Sequence, residues 1–246
     1  MKVPFFAASA ALLTIFACSV PSTAADPLVL SDIAWEAVPA TGKSKPHLHV
    51  SHKRSNSDLS FDRGRAELDT AQAALRGGAG PVSFTVVHEA GTLACTGTLE
   101  RAFEGEGGCR FTSDPRFEAE LAARGLGPER RSDLLAMLLV DATIELADGL
   151  AREGVKVKDN DDLIAAAALQ VTPAYVHDLK SSALVLTDIG DAIACKALGV
   201  DGAYVRGLEA AGYTRLKADD VVSMKALGVS PEYARAMNHA AGGKAQ

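Results

Sequence analysis

The pattern of apolar positions repeats through the C-terminal half of the chain with a 29-residue period. A segment with a leucine, a valine and a tyrosine at fixed offsets begins at Leu169, Leu198 and Leu227, and a fainter copy begins at Val140. A fixed period near 30 residues is typical of stacked two-helix units. The pattern therefore predicts four helix–turn–helix units. Their expected bounds are 133–161, 162–190, 191–219 and 220–246.

Each unit offers residues that favour the start of a helix. The second helices are predicted to begin after Thr143, Thr172, Asp201 and Ser230. A side-chain oxygen at this N-cap position satisfies a free backbone N–H of the first turn. Pro173 and Pro231 follow two of these caps, at the first helical position, where no N–H is needed. The predicted caps of the first helices are Ser132, Asp161, Gly190 and Asp219.

An apolar stripe divides each second helix into a core face and an exposed face. The predicted core positions are Leu146, Tyr175, Tyr204 and Tyr233, and four residues later Leu150, Leu179, Leu208 and Met237. Two residues correspond to about 200° around a helix, so the row two residues after each tyrosine position faces away from the core. That row contains Asp148, His177, Arg206 and Arg235. We hypothesise that His177, Arg206 and Arg235 bind a partner.

The N-terminal half alternates apolar and polar residues over short runs, which predicts antiparallel strands. The expected strands are 47–53, 59–62, 82–88, 92–103 and 109–112, with a short helix over 65–75. Three glycines, Gly105, Gly107 and Gly108, are interpreted as a loop, and Trp35 as part of an edge strand. The predicted fold class is α+β: a small antiparallel β-sheet domain followed by a four-unit α-helical repeat array. The sequence 125–128, Gly-Leu-Gly-Pro, is the expected junction, which gives domains at 26–128 and 129–246.

Cys95 and Cys109 are predicted to form a disulfide. In a hairpin centred near Ala102, Cys95 lies opposite Cys109, and Leu93 lies opposite Phe111. Directly opposed residues reach the short Cβ separation that a disulfide requires. Two buried thiols are the alternative.

The segment 1–25 resembles a secretory signal peptide, so the mature protein is expected to be periplasmic or secreted. Lys2 precedes an apolar stretch over 3–20, and Ser22-Thr-Ala24 provides small residues for cleavage. Lipid attachment at Cys18 is the alternative, because Ile15-Phe16-Ala17 precedes it. No transmembrane segment is expected after removal of the signal.

Charge and motif content narrow the function classes. The net charge is −6 and no basic stripe is present, so binding to nucleic acid is not expected. His47, His49 and His52 are the closest approach to a metal cluster, but His52 has the opposite strand parity and a solvated strand face is the simpler interpretation. A nucleophilic Cys195 is a further alternative. No catalytic, cofactor-binding or metal-binding residue is predicted.

The segments Lys196-Ala-Leu-Gly-Val and Lys225-Ala-Leu-Gly-Val-Ser-Pro-Glu-Tyr233 resemble a bacterial helical-repeat family. Similar repeats follow the peptidase domain of some membrane metallopeptidases of the β-lactam-sensor type and occur in stand-alone exported proteins. The stretches 80–92 and 111–117 resemble the β-segment that precedes such repeats. The resemblance covers roughly 80–240 and implies no established activity. The peptidase motif is absent, since His88-Glu89 is followed by Ala-Gly-Thr.

The expected function is that of an exported, non-enzymatic protein-interaction or scaffold module with a protein partner in the cell envelope. A periplasmic protein that binds a small ligand or a metal is the alternative, and a hydrolase is a further one.

Overall fold

The structure, a computed structural model, describes residues 26–53, 55–182 and 184–242. The predicted signal peptide, its cleavage site and Cys18 lie outside these residues. Within them, no helix is long and apolar enough to cross a bilayer. The fold is mixed, with a six-stranded antiparallel sheet followed by helices.

One antiparallel sheet occupies the N-terminal half. Its strands are β1 (Val29–Val38), β2 (His47–His52), β3 (Ser55–Ser60), β4 (Gly80–His88), β5 (Gly91–Arg101) and β6 (Glu104–Ser113). Their order across the sheet is β3-β2-β1-β6-β5-β4. The predicted short helix is present as a turn of 3₁₀ helix followed by α1 (Asp69–Leu75), which packs against β4.

Strands β5 and β6 pair in the predicted register. Cys95 lies opposite Cys109, and Leu93 lies opposite Phe111. The two sulfur atoms are 1.98 Å apart, and the Cα atoms are 4.0 Å apart. All four side chains are buried on one face of the sheet. The predicted register is therefore confirmed, and it holds the two cysteines at disulfide distance.

Trp35 does not lie on an edge strand, so that prediction was wrong. It lies on β1, which pairs with β2 on one side and with β6 on the other. The indole is buried, its N–H donates to the Thr96 carbonyl oxygen at 3.1 Å, and its ring meets the Phe84 ring edge-on. Strand β1 is central because it pairs with β6, which is far from it in the sequence. No local sequence pattern indicates that pairing.

The glycines that were expected to form a loop lie within β6. They are Gly105, Gly107 and Gly108. The hairpin turns at Phe103, which has a positive φ of 57°. A Cβ atom added to Gly97 or Gly107 would lie 2.5 or 2.7 Å from the Trp35 indole. At these two positions glycine therefore makes room for the tryptophan.

Nine helices follow the sheet in the described residues, one alone and eight in consecutive pairs. They are α2 (Pro115–Ala123), α3 (Asp133–Val140) with α4 (Ile144–Arg152), α5 (Asn160–Ala168) with α6 (Pro173–Lys180), α7 (Ile189–Ala197) with α8 (Gly202–Ala210), and α9 (Ala218–Ala226) with α10 (Pro231–Gly242). The first helices contact one another in the order α3, α5, α7, α9, and the second helices in the order α4, α6, α8, α10. Two parallel two-residue strands, β7 (Leu184–Val185) and β8 (Leu216–Lys217), join the later pairs.

The predicted starts of the second helices are confirmed. Thr143, Thr172, Asp201 and Ser230 each accept a hydrogen bond from the backbone N–H three residues later, at 3.1, 3.1, 2.7 and 3.1 Å. The four caps recur with the same 29-residue period as the apolar positions.

The predicted caps of the first helices were wrong for three of the four pairs. Asp159 and Asp188, not Asp161 and Gly190, cap α5 and α7. Lys217, not Asp219, precedes α9, and it makes no side-chain cap. Ser132 stands before α3 as predicted, but its hydroxyl caps nothing. An earlier start places the remaining acids in the first turn, where the helix dipole favours negative charge.

Arg65 ties the sheet to the first helix pair. Its side chain is only 10% exposed. The two terminal nitrogens donate to the carbonyl oxygens of Leu139 and Leu138 at 2.9 and 2.8 Å, and Nε donates to Glu67 at 2.6 Å. Because carbonyls in the last turn of a helix have no partner within it, a cation there is favourable. Arg65 therefore caps α3.

His88, at the end of β4, lies at the same junction. Its ring is buried, and its Nδ1 accepts the Ala90 N–H at 3.0 Å. In the neutral ring the proton then lies on Nε2, 3.3 Å from Oδ1 of Asp141. That contact falls short of good hydrogen-bond alignment, so we regard it as mainly electrostatic. His88 and, after it, the Arg65 guanidinium hold the pKa of Asp141 below its usual range.

Replacing Arg65 with alanine should lower the free energy of unfolding by about 3 kcal/mol, because buried charge-assisted hydrogen bonds are lost and two carbonyls are left without partners. Urea unfolding followed by circular dichroism measures this loss. Arg101→Ala is the matched control, because the ion pair of that exposed arginine is with the neighbouring Glu104, so the change should alter stability by less than about 1 kcal/mol. Equal effects of the two variants would contradict the role of Arg65.

The three cysteines of the described residues should divide into a bonded pair and one buried thiol. Burial raises the pKa of Cys195 to about 11, so its thiolate is scarce at pH 8 and native labelling should be slow. After denaturation without reductant, a thiol reagent should label Cys195 but neither Cys95 nor Cys109, as mass analysis of peptides would show. Labelling of both β-strand cysteines would rule out the disulfide.

Candidate functional site

The residues proposed to bind a partner lie along the outer face of the second helices. His177, Arg206 and Arg235 are exposed, as the helical spacing predicts. His177 Nδ1 is 3.3 Å from a carboxylate oxygen of Glu153, and Arg206 donates to Asp178 at 2.8 Å. Two of the three side chains therefore also contact a carboxylate of the preceding helix pair.

Arg235 differs from the other members of the row. The acid that pairs with Arg206 is Asp178, and Gly207 occupies the corresponding position before Arg235. Within the described part of the chain, Arg235 forms no ion pair within 4.0 Å. It is the member of the row with the most freely presented charge.

A tyrosine links each of the middle helix pairs to the next one. The Tyr175 hydroxyl donates to the Val200 carbonyl oxygen, and the Tyr204 hydroxyl donates to the Val229 carbonyl oxygen, both at 2.7 Å. Burial raises the pKa of both phenols.

A lysine covers each of these rings. Lys196 Nζ lies 4.4 Å from the centre of the Tyr175 ring, and Lys225 Nζ lies 4.3 Å from that of Tyr204. Both lysines come from the pair after the tyrosine. Each contact thus combines a partly buried hydrogen bond with a cation–π interaction.

A proline at the start of one second helix packs closely against a glycine of the preceding second helix at two of the three steps. A Cβ atom on Gly149 would lie 2.6 Å from Pro173, and one on Gly207 would lie 2.7 Å from Pro231. At the intervening step, Asp178 faces Gly202 and accepts its N–H at 3.1 Å. Each second helix therefore has a face shaped for the start of the next second helix.

Among the described residues, none covers the equivalent face of the fourth pair, which corrects the predicted core. Tyr204 is 7% exposed, whereas Tyr233 and Met237 are 57% and 51% exposed. Leu227, in the turn before α10, is 82% exposed. Tyr233 and Met237 lie four residues apart on α10 and therefore share one helix face, which we call the distal patch. The prediction failed for Tyr233 and Met237 because burial at these positions comes from the next pair along the chain.

A cavity of about 400 Å³ lies between β3 and the first two helix pairs. We call it the junction cavity. Asp58, Arg65 and Asp141 line its polar side, and Leu146, Ala167 and Val171 line its apolar side.

Two histidines of β2 contact the carboxylate of Asp58, which also lines the junction cavity. His49 Nδ1 is 2.7 Å from Asp58 Oδ1, and His47 Nε2 is 3.9 Å from the same oxygen. The described residues contain no group of three or more His, Cys, Asp or Glu side chains placed to hold a metal ion.

Comparison of the chain with protein-family models, curated proteins and solved structures returned no match. The resemblance of the Lys-Ala-Leu-Gly-Val segments therefore stays an expectation based on those residues.

Tyr204 and Tyr233 occupy equivalent positions and provide a matched pair of substitutions. Tyr204→Ala should lower the free energy of unfolding by about 3 kcal/mol, because it removes a packed ring and its buried hydrogen bond. Tyr233→Ala should cost less than about 1 kcal/mol, because that ring is exposed. Thermal or urea unfolding of both variants tests the contrast, and equal losses would show that the tyrosine contact contributes nothing specific.

Proposed function

We propose that this protein is an exported, non-enzymatic protein-interaction or scaffold module that binds a protein partner in the cell envelope. In this proposal the four helix pairs are units of one array with a 29-residue period, and the distal patch is the main binding surface. The observation that supports it best is the exposure of Tyr233 and Met237 at positions that are buried in the preceding pair. Large apolar side chains exposed together on one helix face are candidates for an interaction site.

The disulfide between Cys95 and Cys109 supports export of the protein. A disulfide between Cys95 and Cys109 persists in oxidising compartments and is rare in the cytosol. A periplasmic or secreted location is therefore part of the proposal, and so is the signal peptide.

The contacts between the middle pairs suggest what the partner presents. Tyr175 and Tyr204 are each covered by a lysine ammonium and by a backbone carbonyl four residues after that lysine. By the same chemistry, the Tyr233 ring would receive a cation on its face and an acceptor at its hydroxyl. A partner that presents a lysine-bearing helix followed by a turn has both groups at the required spacing.

The residue that faces Ala236 should be small. Ala236 holds the position of Gly149 and Gly207, which face prolines. A Cβ atom at Gly149 or Gly207 would clash with the proline that faces it. Because Ala236 has a Cβ atom, we expect the partner to present glycine rather than proline there. The contact between Asp178 and Gly202 is the example within the chain.

The exposed row of His177, Arg206 and Arg235 contributes to the same binding surface in this proposal. Arg235 lies on α10 with Tyr233 and Met237, so it can pair with an acidic group at the rim of the partner. His177 and Arg206 extend the row along the array.

The test is capture of partners from an envelope extract on immobilised protein, with site-specific variants. The double variant Tyr233→Asp/Met237→Asp should lose a captured protein that the parent retains, because charge in an apolar contact disfavours its burial. Joint replacement of His177, Arg206 and Arg235 by alanine should weaken the capture less.

Val87→Asp is the control, since Val87 is an exposed apolar residue on β4, outside the patch. Circular dichroism confirms that each variant is folded. A partner retained equally by the parent, the distal-patch variant and the control would contradict the proposed surface, and so would the absence of any specifically retained protein.

A further inference from the structure

Departures from the 29-residue pattern concentrate around the junction cavity. Leu146 stands where the later pairs have Tyr175 and Tyr204, and Ala167 stands where they have Lys196 and Lys225. Leu146 and Ala167 line the junction cavity together. At this step the ring and the ammonium of the later pairs are therefore both missing, and the space is open.

Two further departures line the same cavity. Asp141 and Gln170 have positive φ angles of 66° and 58° at the turn where the later pairs have Gly199 and Gly228. A left-handed conformation is unfavourable for residues other than glycine. Asp141 and Gln170 therefore place polar side chains at the cavity with a strained backbone. Backbone strain of this kind is common at functional sites.

The recess is open to solvent on its polar side, where the side chains of Asp58 and Asp141 are 62% and 44% exposed. On its apolar side, Leu146 and Ala167 leave the space that a ring and an ammonium group fill in the later pairs. A volume of about 400 Å³ remains there for a small ligand.

The polar groups indicate the chemistry of a ligand. Val171 corresponds to Val200 and Val229, whose carbonyl oxygens accept tyrosine hydroxyls, but Leu146 has no group to donate to it. Asp58 and Asp141 bring two carboxylates, which also contact His49 and His88. They face one guanidinium, that of Arg65, which already donates to Glu67 and two carbonyls. These three charged side chains carry a net negative charge, which favours a ligand with donors and a positive charge.

We propose that the junction cavity binds a small phenol that carries an amine. The ring takes the place of the missing tyrosine ring, and its hydroxyl donates to the Val171 carbonyl oxygen. The ammonium group lies toward Asp58 and Asp141. This site is independent of the distal patch, so it can be present whether or not that patch binds a protein.

Tyramine and 2-phenylethylamine test the proposal, since they differ only in the phenol hydroxyl. Each is titrated into the full-length mature protein at millimolar concentrations and followed by NMR shifts of the Leu146 and Val171 methyl groups. Tyramine should bind with saturation, and loss of the hydroxyl should weaken binding about fivefold, as expected for one neutral hydrogen bond. Absence of saturable shifts with tyramine, or equal affinity for both amines, would overturn the proposal.

Leu146→Tyr closes the site from within. Its ring should fill the cavity, its hydroxyl should reach Val171, and tyramine binding should fall at least about tenfold while the melting temperature is maintained or rises. Leu198→Tyr, an exposed change outside the cavity lining, should leave tyramine binding unchanged. If Leu146→Tyr does not fold, Ala167→Lys fills the other half of the space and should have the same effect on binding. Tight tyramine binding to a folded, filled variant would also overturn the site.

Discussion

The contact between a tyrosine and the turn of the next helix pair joins the second pair to the third and the third pair to the fourth. In each case the hydroxyl donates to a valine carbonyl at 2.7 Å and a lysine covers the ring. A buried phenol must find an acceptor, because a buried polar group without a partner is costly. At these two steps, the contact places the tyrosine face of one second helix under the turn of the next pair.

Within the described residues, the tyrosine contact is not made at either end of the helical region, and the two ends are covered differently. At the start, Leu146 replaces the tyrosine, and the sheet covers the first pair through α3 and Arg65. One buried cluster continues from Trp35 and Phe111 in the sheet to Leu138 and Val176 in the helices. At the other end, the Tyr233 ring is exposed. Both candidate binding features, the junction cavity and the distal patch, lie where the tyrosine contact is not made.

The sequence was informative wherever a local rule determines the structure. The caps of the second helices follow from N-cap chemistry, and Cys95 and Cys109 follow from the pairing parity of a single hairpin. Long-range pairing was not visible. Trp35 lies on a central strand only because β1 pairs with β6, and the glycines of β6 are explained only by the tryptophan that lies over them.

The candidate site was only partly predictable from the sequence. Helical spacing identified the exposed row of His177, Arg206 and Arg235. The exposure of Tyr233 could not be predicted in this way, because it depends on which residues lie next to it in space. The Tyr–Val contact could have been found from its constant separation of 25 residues.

A chain with one additional helix pair tests the central role of the tyrosine contact most directly. Residues 184–212, which include Lys196, Val200 and Gly202, are placed directly after Ala241, which keeps the 29-residue period. The account predicts that the added pair folds, that the Tyr233 ring loses its exposure to a photo-CIDNP dye in NMR, and that the melting temperature rises. Replacement of the added lysine by alanine should reduce that rise. An added segment that remains unfolded while Tyr233 stays exposed would contradict the account.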